Sequence, residues 1–171
     1  MRISDERFGL ISFPLNAGQK VAVNFYPVND GPGVAHNFHN YGDLSFIQRS
    51  SDDELAHRTD DLFRALYRRV NKTIESGEKG SDISPNDLAE PFFTVGQNSL
   101  AANDALGFNR KKKVLVAITR IEWDNTQWAE RCVYFLPEQV QAYLSSADHK
   151  IIWNLCKEHN DSGVRRLGSL L

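Results

Sequence analysis

The densest group of side chains with chemical potential lies between Asp30 and Asp43. His36 and His39 stand three residues apart in this segment, so that two imidazoles lie near a carboxylate on either side. Neutral imidazole and carboxylate are ligands that Zn²⁺, Fe²⁺ and Mn²⁺ accept. In a loop, these side chains could converge on one divalent transition metal ion. We favour the competing interpretation of a polar surface loop whose histidines face water, because His-x-x-His in a loop fixes no ligand geometry.

A second candidate is the basic run Arg110, Lys111, Lys112 and Lys113. Such a run can contact phosphates. The whole chain, however, carries 20 Lys and Arg against 22 Asp and Glu, for a net charge of -2. We therefore favour a solvated entry to the following strand, where lysines discourage edge-to-edge sheet pairing. Nucleic acid is not the favoured partner.

Tryptophans form the third candidate set. Trp123 and Trp128 are placed at the tip of a predicted hairpin, and Trp153 stands apart from the apolar stripe of a predicted helix. Exposed aromatic side chains are frequent anchors of protein interfaces. We take these three residues as candidate partner-binding residues.

Catalytic motifs are weak throughout the chain. No Gly-x-Ser-x-Gly nucleophile elbow occurs, and the glycines of the 31–33 turn lack the Walker pattern and its lysine. Glu122 and Asp124 would share one face of a regular strand, as in a nuclease-like metal site, but spacing assigns them no further acid or lysine. Catalytic residues stay unknown.

The elements that position these residues begin with β structure. Residues 8–13 and 20–28 are rich in β-branched and aromatic side chains and predict a hairpin. Residues 29–43 predict a loop because of their glycines, and 44–48 predict a short third strand.

One long helix follows. Ser51 with Glu54 three residues later forms a capping box, apolar side chains then recur at three- and four-residue steps, and Gly77 supplies a stop. The pattern predicts an amphipathic helix over 52–76.

The second half of the chain is less regular. A polar connector that we expect to be flexible occupies 77–86, and the structure of 92–109 is left open apart from a short helix around 99–106. Strand patterns follow at 114–123 and 131–136, helix patterns at 137–144 and 148–159, and a loose tail is expected at 163–171. The sequence thus predicts one domain over 1–171. Its fold is α+β: an antiparallel sheet of about five strands packed by one long amphipathic helix, with two short C-terminal helices.

Composition excludes several classes. With 41% hydrophobic, 11% aromatic and 25% charged residues, the chain is neither collagen-like nor wholly disordered. Cys132 and Cys156 lack the close spacing of a disulfide scaffold, so we expect two buried free thiols. The N-terminal residues lack the order of a secretory signal, and no apolar window is long enough for a membrane span. These features predict a cytoplasmic protein with no membrane partner.

The functional hypothesis rests on these patterns. We expect a non-enzymatic, protein-binding domain of regulatory or inhibitor type that needs no cofactor and acts through an aromatic and charged surface. The alternative is a small metal-dependent hydrolase or nuclease in which His36 and His39, with Asp30 or Asp43, hold one divalent transition metal. Neither interpretation identifies the partner, the substrate or the oligomeric state.

Overall fold

A computed structural model describes residues 2–8, 14–85, 93–97, 99–145 and 153–164 of the 171-residue chain. The strands are β1 (Arg2–Phe8), β2 (Val21–Val28), β3 (Ala35–Gln48), β4 (Ser81–Ile83), β5 (Phe93–Gln97), β6 (Lys113–Trp123), β7 (Gln127–Phe135), β8 (Asn154–Leu155) and β9 (Ser162–Val164). The helices are α1 (Asp52–Ser76), α2 (Ala102–Asn109) and α3 (Pro137–Ser145). The predicted α+β class is confirmed.

Strand pairing is antiparallel and produces two sheets. Counted over the described residues, the larger has six strands in the order β4-β3-β6-β7-β8, with β9 also paired to β7, and the smaller has three in the order β1-β2-β5. At the centre of the larger sheet, Ile118 of β6 lies opposite Asp43 of β3 and Cys132 of β7. The sequence predicted one sheet of about five strands and did not separate the two.

The central strand β6 is buried on both faces, which explains its nearly continuous apolar sequence. Because side chains alternate along a strand, Val116 and Ile118 pack on one face with Phe63 of α1. Leu115 and Ala117 point to the other face and join a cluster with side chains of β2 and α2. The larger sheet is therefore a middle layer, with α1 on one side and the smaller sheet and α2 on the other.

Helix α1 has the bounds that the sequence predicts. The Ser51 side chain accepts a hydrogen bond from the Glu54 backbone N–H at 3.4 Å, and Gly77 ends the helix in the left-handed conformation at φ 66°. The buried face consists of every third or fourth residue, namely Leu55, Thr59, Phe63, Leu66 and Val70.

The predicted loop over 29–43 is wrong from Ala35 onward. β3 begins there and pairs with both β4 and β6, so His36 and His39 lie in a strand. The histidines, asparagines and glycine of this segment have low strand propensity, but pairing with neighbours on both sides overrides it.

The second predicted C-terminal helix is also wrong over the described residues 153–159, whereas α3 matches the first. The backbone from 153 to 164 carries β8 and β9, which both lie along β7. Residues 148–152 of that predicted helix lie outside the described residues, as do 9–13 of the predicted first strand.

The two cysteines are not free thiols. Cys132 of β7 and Cys156, which follows β8, form a disulfide with their Cα atoms 5.3 Å apart. The Cys156 backbone N–H also donates to the Cys132 carbonyl at 3.1 Å. The disulfide could not be predicted from the sequence, because the two cysteines become adjacent only when β8 pairs with β7. Within the described part of the chain, no helix has the length and apolar character needed to cross a membrane.

Candidate functional site

A cleft of about 720 Å³ lies at one end of the larger sheet. The start of β3, the end of β6, the C-terminus of α1 and the β4 segment form its walls. Its lining includes His36, His39, Ile74, Glu122 and Trp123, so residues from both functional hypotheses meet here.

Asn37 holds these walls together. Its backbone is left-handed at φ 53°, a conformation that asparagine tolerates better than most residues. The side-chain oxygen accepts a hydrogen bond from the Gly80 N–H at 2.7 Å, and the side-chain amide donates to Asn125 at 2.6 Å. One residue of β3 thereby joins the β4 segment to the β6–β7 turn.

The turn itself is tied to β3 by a reciprocal pair of bonds. The Asp124 N–H donates to the His36 carbonyl at 2.7 Å, and the Asp124 carboxylate accepts from the His36 N–H at 2.8 Å. Asp124 has φ 50° and belongs to the turn. The nuclease-like interpretation requires Glu122 and Asp124 to share one strand face. They do not, because Asp124 lies in the turn and not in β6.

Both candidate histidines line the cleft, but each has a protein partner. His36 Nδ1 lies 3.2 Å from an Asp82 carboxylate oxygen, and this hydrogen bond lowers the pKa of Asp82 below its usual value. His39 Nε2 lies 3.3 Å from the side-chain oxygen of Asn37. Of the two proposed acidic ligands, Asp43 pairs with Arg69 at 3.2 Å.

The four residues of the hypothetical metal site do not come together as a ligand set. Asp30 and Asp43 are not among the residues lining the cleft. In the described residues, one group of three His, Cys, Asp or Glu side chains has its ligand atoms within 4.8 Å of one another, and it is Asp60, Glu158 and His159.

The charge of the cleft is mainly negative. Glu78 and Asp82 line it, as does Glu122, which is paired with Arg120, and Lys79 is the one lysine or arginine among the described residues of the lining. The C-terminal end of α1 also borders the cleft, and the helix dipole places a partial negative charge there. This arrangement favours a cationic group.

The three tryptophans do not form one exposed surface. Trp123 is buried, with 6% of its surface exposed, and contributes one wall of the cleft. Trp128 is half-buried with its ring 4.8 Å from the Arg120 guanidinium carbon, and Trp153 packs against the core. The expectation of solvent-exposed tryptophan anchors is not met.

The basic run leads from α2 into β6. Arg110, Lys111 and Lys112 are exposed, whereas Lys113 donates to Asp104 of α2 at 2.6 Å. Lys111 has φ 58° in the turn between these elements. This arrangement agrees with the solvated strand entry.

A buried ionic network lies directly behind the cleft, and sequence reasoning missed most of it. Arg120 donates through Nε to Glu122 at 2.6 Å and through Nη1 to Glu130. All three side chains are at most 9% exposed. The Arg120 guanidinium also lies over the rings of Tyr67 and Trp128, with its central carbon 5.2 and 4.8 Å from the two ring centres.

Glu130 extends the network toward α1 and the C-terminal strands. One carboxylate oxygen accepts from the Tyr67 hydroxyl at 2.8 Å, and the other lies 3.1 Å from His159 Nδ1. His159 Nε2 in turn lies 2.7 Å from an Asp60 oxygen, and its ring stacks on Phe63.

Sheet register explains why these groups meet. Arg120 lies directly opposite Glu130, and Glu122 directly opposite Trp128. Alternation along β6 and β7 then places all four side chains on the face that α1 covers.

Contacts within the network shift the pKa values of Glu130, His159 and Tyr67. Burial raises the pKa of Glu130, but hydrogen bonds from His159 and Tyr67 and the charge of Arg120 outweigh it, so the pKa falls below its usual value. Burial lowers the pKa of His159, yet its bonds to Glu130 and Asp60 give a net increase. Burial and the Glu130 charge raise the pKa of the Tyr67 phenol well above its usual range. Glu130 thus accepts hydrogen bonds from Arg120 and Tyr67 and lies within hydrogen-bond distance of His159.

One sequence signal for the network existed. Arg120, Glu122 and Glu130 interrupt otherwise apolar strands, and charges in such positions are buried only when they are paired. His159 and Asp60 gave no such signal, because they lie 99 residues apart in the chain.

Comparison of the chain with protein-family models, with curated protein sequences and with solved structures found no match.

Proposed function

We propose that the protein is a non-enzymatic, protein-binding domain of regulatory or inhibitor type, and that its cleft receives a basic segment of another protein. The observation that carries this proposal is the negative lining of the cleft by Glu78 and Asp82 beside the C-terminus of α1. A lysine or arginine side chain is the protein group that such a lining favours.

The cleft also has apolar surface for such a segment. Ile74, on the last turn of α1, has 45% of its surface exposed and lines the cleft, and Trp123 contributes a rigid aromatic wall. Partner segments bind most strongly where an apolar anchor enters a pocket with polar groups at its rim. The expected partner segment therefore has a basic residue next to an apolar one.

A small metal-dependent hydrolase or nuclease stays the alternative. What favours it is that His36, His39 and Glu122 line the same cleft. The positions of Asp30 and Asp43 leave the two histidines without the third ligand that this hypothesis assigned to them.

The predicted cytoplasmic location also stays a prediction. The Cys132–Cys156 disulfide counts against it, because disulfides persist mainly in oxidising compartments.

The proposal is tested by site-specific photo-crosslinking in the native cells. A benzoylphenylalanine in place of Ile74 should capture a protein partner, whereas the same group in place of Leu106, which is 48% exposed on α2, should not. Capture through Leu106 alone would place the interface on the other side of the larger sheet.

Charge variants then test the cleft with the purified partner. We expect Glu78→Lys to weaken binding about tenfold, or 1.4 kcal/mol, and Lys79→Glu to strengthen it by a smaller factor. If Glu78→Lys and Lys79→Glu change the affinity for the partner in the same way, or if neither changes it, the partner segment is not basic. Asp61→Lys on the middle of α1, whose side chain is 71% exposed, is the matched control and should leave affinity unchanged.

A further inference from the structure

We infer that Asp60, Glu158 and His159 form a binding site for one Zn²⁺ ion, separate from the cleft. The carboxylates of Asp60 and Glu158 and a ring nitrogen of His159 all lie within 4.8 Å of one another. One imidazole and two carboxylates are a ligand set that zinc accepts, with water in the fourth position.

The orientation of His159 supports this assignment. Glu130 is an acceptor that already binds Arg120 and Tyr67, so His159 Nδ1 must donate its N–H to the second Glu130 oxygen. The other ring nitrogen, Nε2, is thereby directed toward Asp60 at 2.7 Å. A carboxylate that holds one nitrogen of a histidine while the other nitrogen binds metal is the usual arrangement around protein-bound zinc.

Between Nε2 and the Asp60 oxygen, a positive group must sit, because two lone pairs at that distance repel. A proton satisfies this requirement, and so does a zinc ion after a small outward movement of the Asp60 carboxylate. Glu158 distinguishes a zinc ion from a proton at this position. A proton shared by His159 and Asp60 needs no third group, whereas a zinc ion would use the Glu158 carboxylate as a ligand.

Access to the site agrees with a metal role. The Glu158 side chain is exposed and about one third of the Asp60 side chain is exposed, so an ion can enter from solvent. His159 itself is only 16% exposed and is fixed by stacking on Phe63 at 3.9 Å between ring centres. The ligands come from α1 and from the 153–164 segment, so bound zinc would cross-link these two parts of the molecule.

The test is calorimetric titration of Zn²⁺ into the full chain with its disulfide intact, as verified by intact mass. We expect one equivalent to bind, and Glu158→Gln to weaken binding at least tenfold without lowering the melting temperature of the metal-free protein. His159→Ala should abolish binding. X-ray absorption of the zinc complex should show nitrogen and oxygen ligands and no sulfur.

Two controls keep the assignment open to refutation. Asp61→Asn, next to Asp60 in the chain, and the His36→Ala/His39→Ala double variant should both retain the wild-type affinity. Absence of saturable zinc binding, wild-type affinity in Glu158→Gln, or loss of zinc from the double variant would each overturn it.

Discussion

At the scale of single residues, Arg120 has the most demanding environment in the described structure. It is a buried cation that pairs with the carboxylates of Glu122 and Glu130 and lies over two aromatic rings, those of Tyr67 and Trp128. Buried ion pairs add little net stability compared with apolar side chains, but removing one partner leaves the other charge desolvated. The network is therefore sensitive to the loss of any one charge.

We expect Arg120→Met to lower the free energy of unfolding by roughly 3–5 kcal/mol, because it leaves two buried carboxylates without their cation. Urea denaturation measures the effect. Arg58→Met is the control: Arg58 pairs with Glu54 at 3.1 Å with both side chains about half exposed, and its loss should change stability by less than about 0.5 kcal/mol. Similar losses for both variants would show that burial does not set the importance of Arg120.

A residue's position in the structure could be predicted from the sequence only where it depends on neighbours that are close in the chain. Phe63, Leu66 and Val70 follow from helical spacing alone, and all three are buried. His159 could not be recognised, because its partners lie on α1 and β7 and only the docking of the 153–164 segment brings it to them.

At the scale of elements, too, features encoded within a few residues could be predicted, whereas features that depend on distant parts of the chain could not. The ends of α1 could be predicted because a capping box and a C-terminal glycine are encoded within a few residues of the helix ends. The first half of β3 could not, since its strand conformation depends on pairing with β4 and β6. The cleft has the same limit, because its described lining residues come from three separate stretches of the chain, 36–39, 73–82 and 122–125.

The close approach of the β4 segment to β3 gives a prediction for Gly80. A Cβ atom there would meet the Phe38 carbonyl, so Gly80→Ala must push β4 away from β3. We expect Gly80→Ala to lower the free energy of unfolding by about 1–3 kcal/mol, as measured by thermal unfolding. Amide hydrogen exchange in β4 should become faster.

Gly33→Ala is the matched control for this prediction. Among the described residues, no atom lies within 4 Å of a Cβ at Gly33, so the free energy of unfolding of this variant should be within about 0.5 kcal/mol of the wild-type value. If Gly80→Ala is equally well tolerated, β4 does not pack as closely on β3 as the structure shows.

At the scale of the whole molecule, the 153–164 segment is held on β7 and α1 by several kinds of bond. These are the Cys132–Cys156 disulfide, the β8 and β9 pairings and the His159 contacts. Gly163 belongs to the same arrangement, because a Cβ there would lie 2.8 Å from the Trp128 ring. The segment thus lies along β7 beside the buried network, with β9 paired to the start of β7 next to the β6–β7 turn.

We expect reduction of the disulfide to lower the free energy of unfolding by roughly 3 kcal/mol, since the bridge closes a loop of 24 residues in the unfolded chain. Denaturation with and without a phosphine reductant measures this loss. A Cys132→Ala/Cys156→Ala variant should unfold identically in both conditions. Two thiols that react in the native protein without reductant would contradict the bridge.

The same bridge has a mechanical consequence. Cys132 and Cys156 make the chain between them, including α3, a closed covalent ring. When the molecule is stretched from its ends, the load passes through the sulfur atoms and bypasses that ring. Its 24-residue span, about 80 Å of contour length at about 3.4 Å per residue, would stay hidden from the pulling force until the bridge is cut.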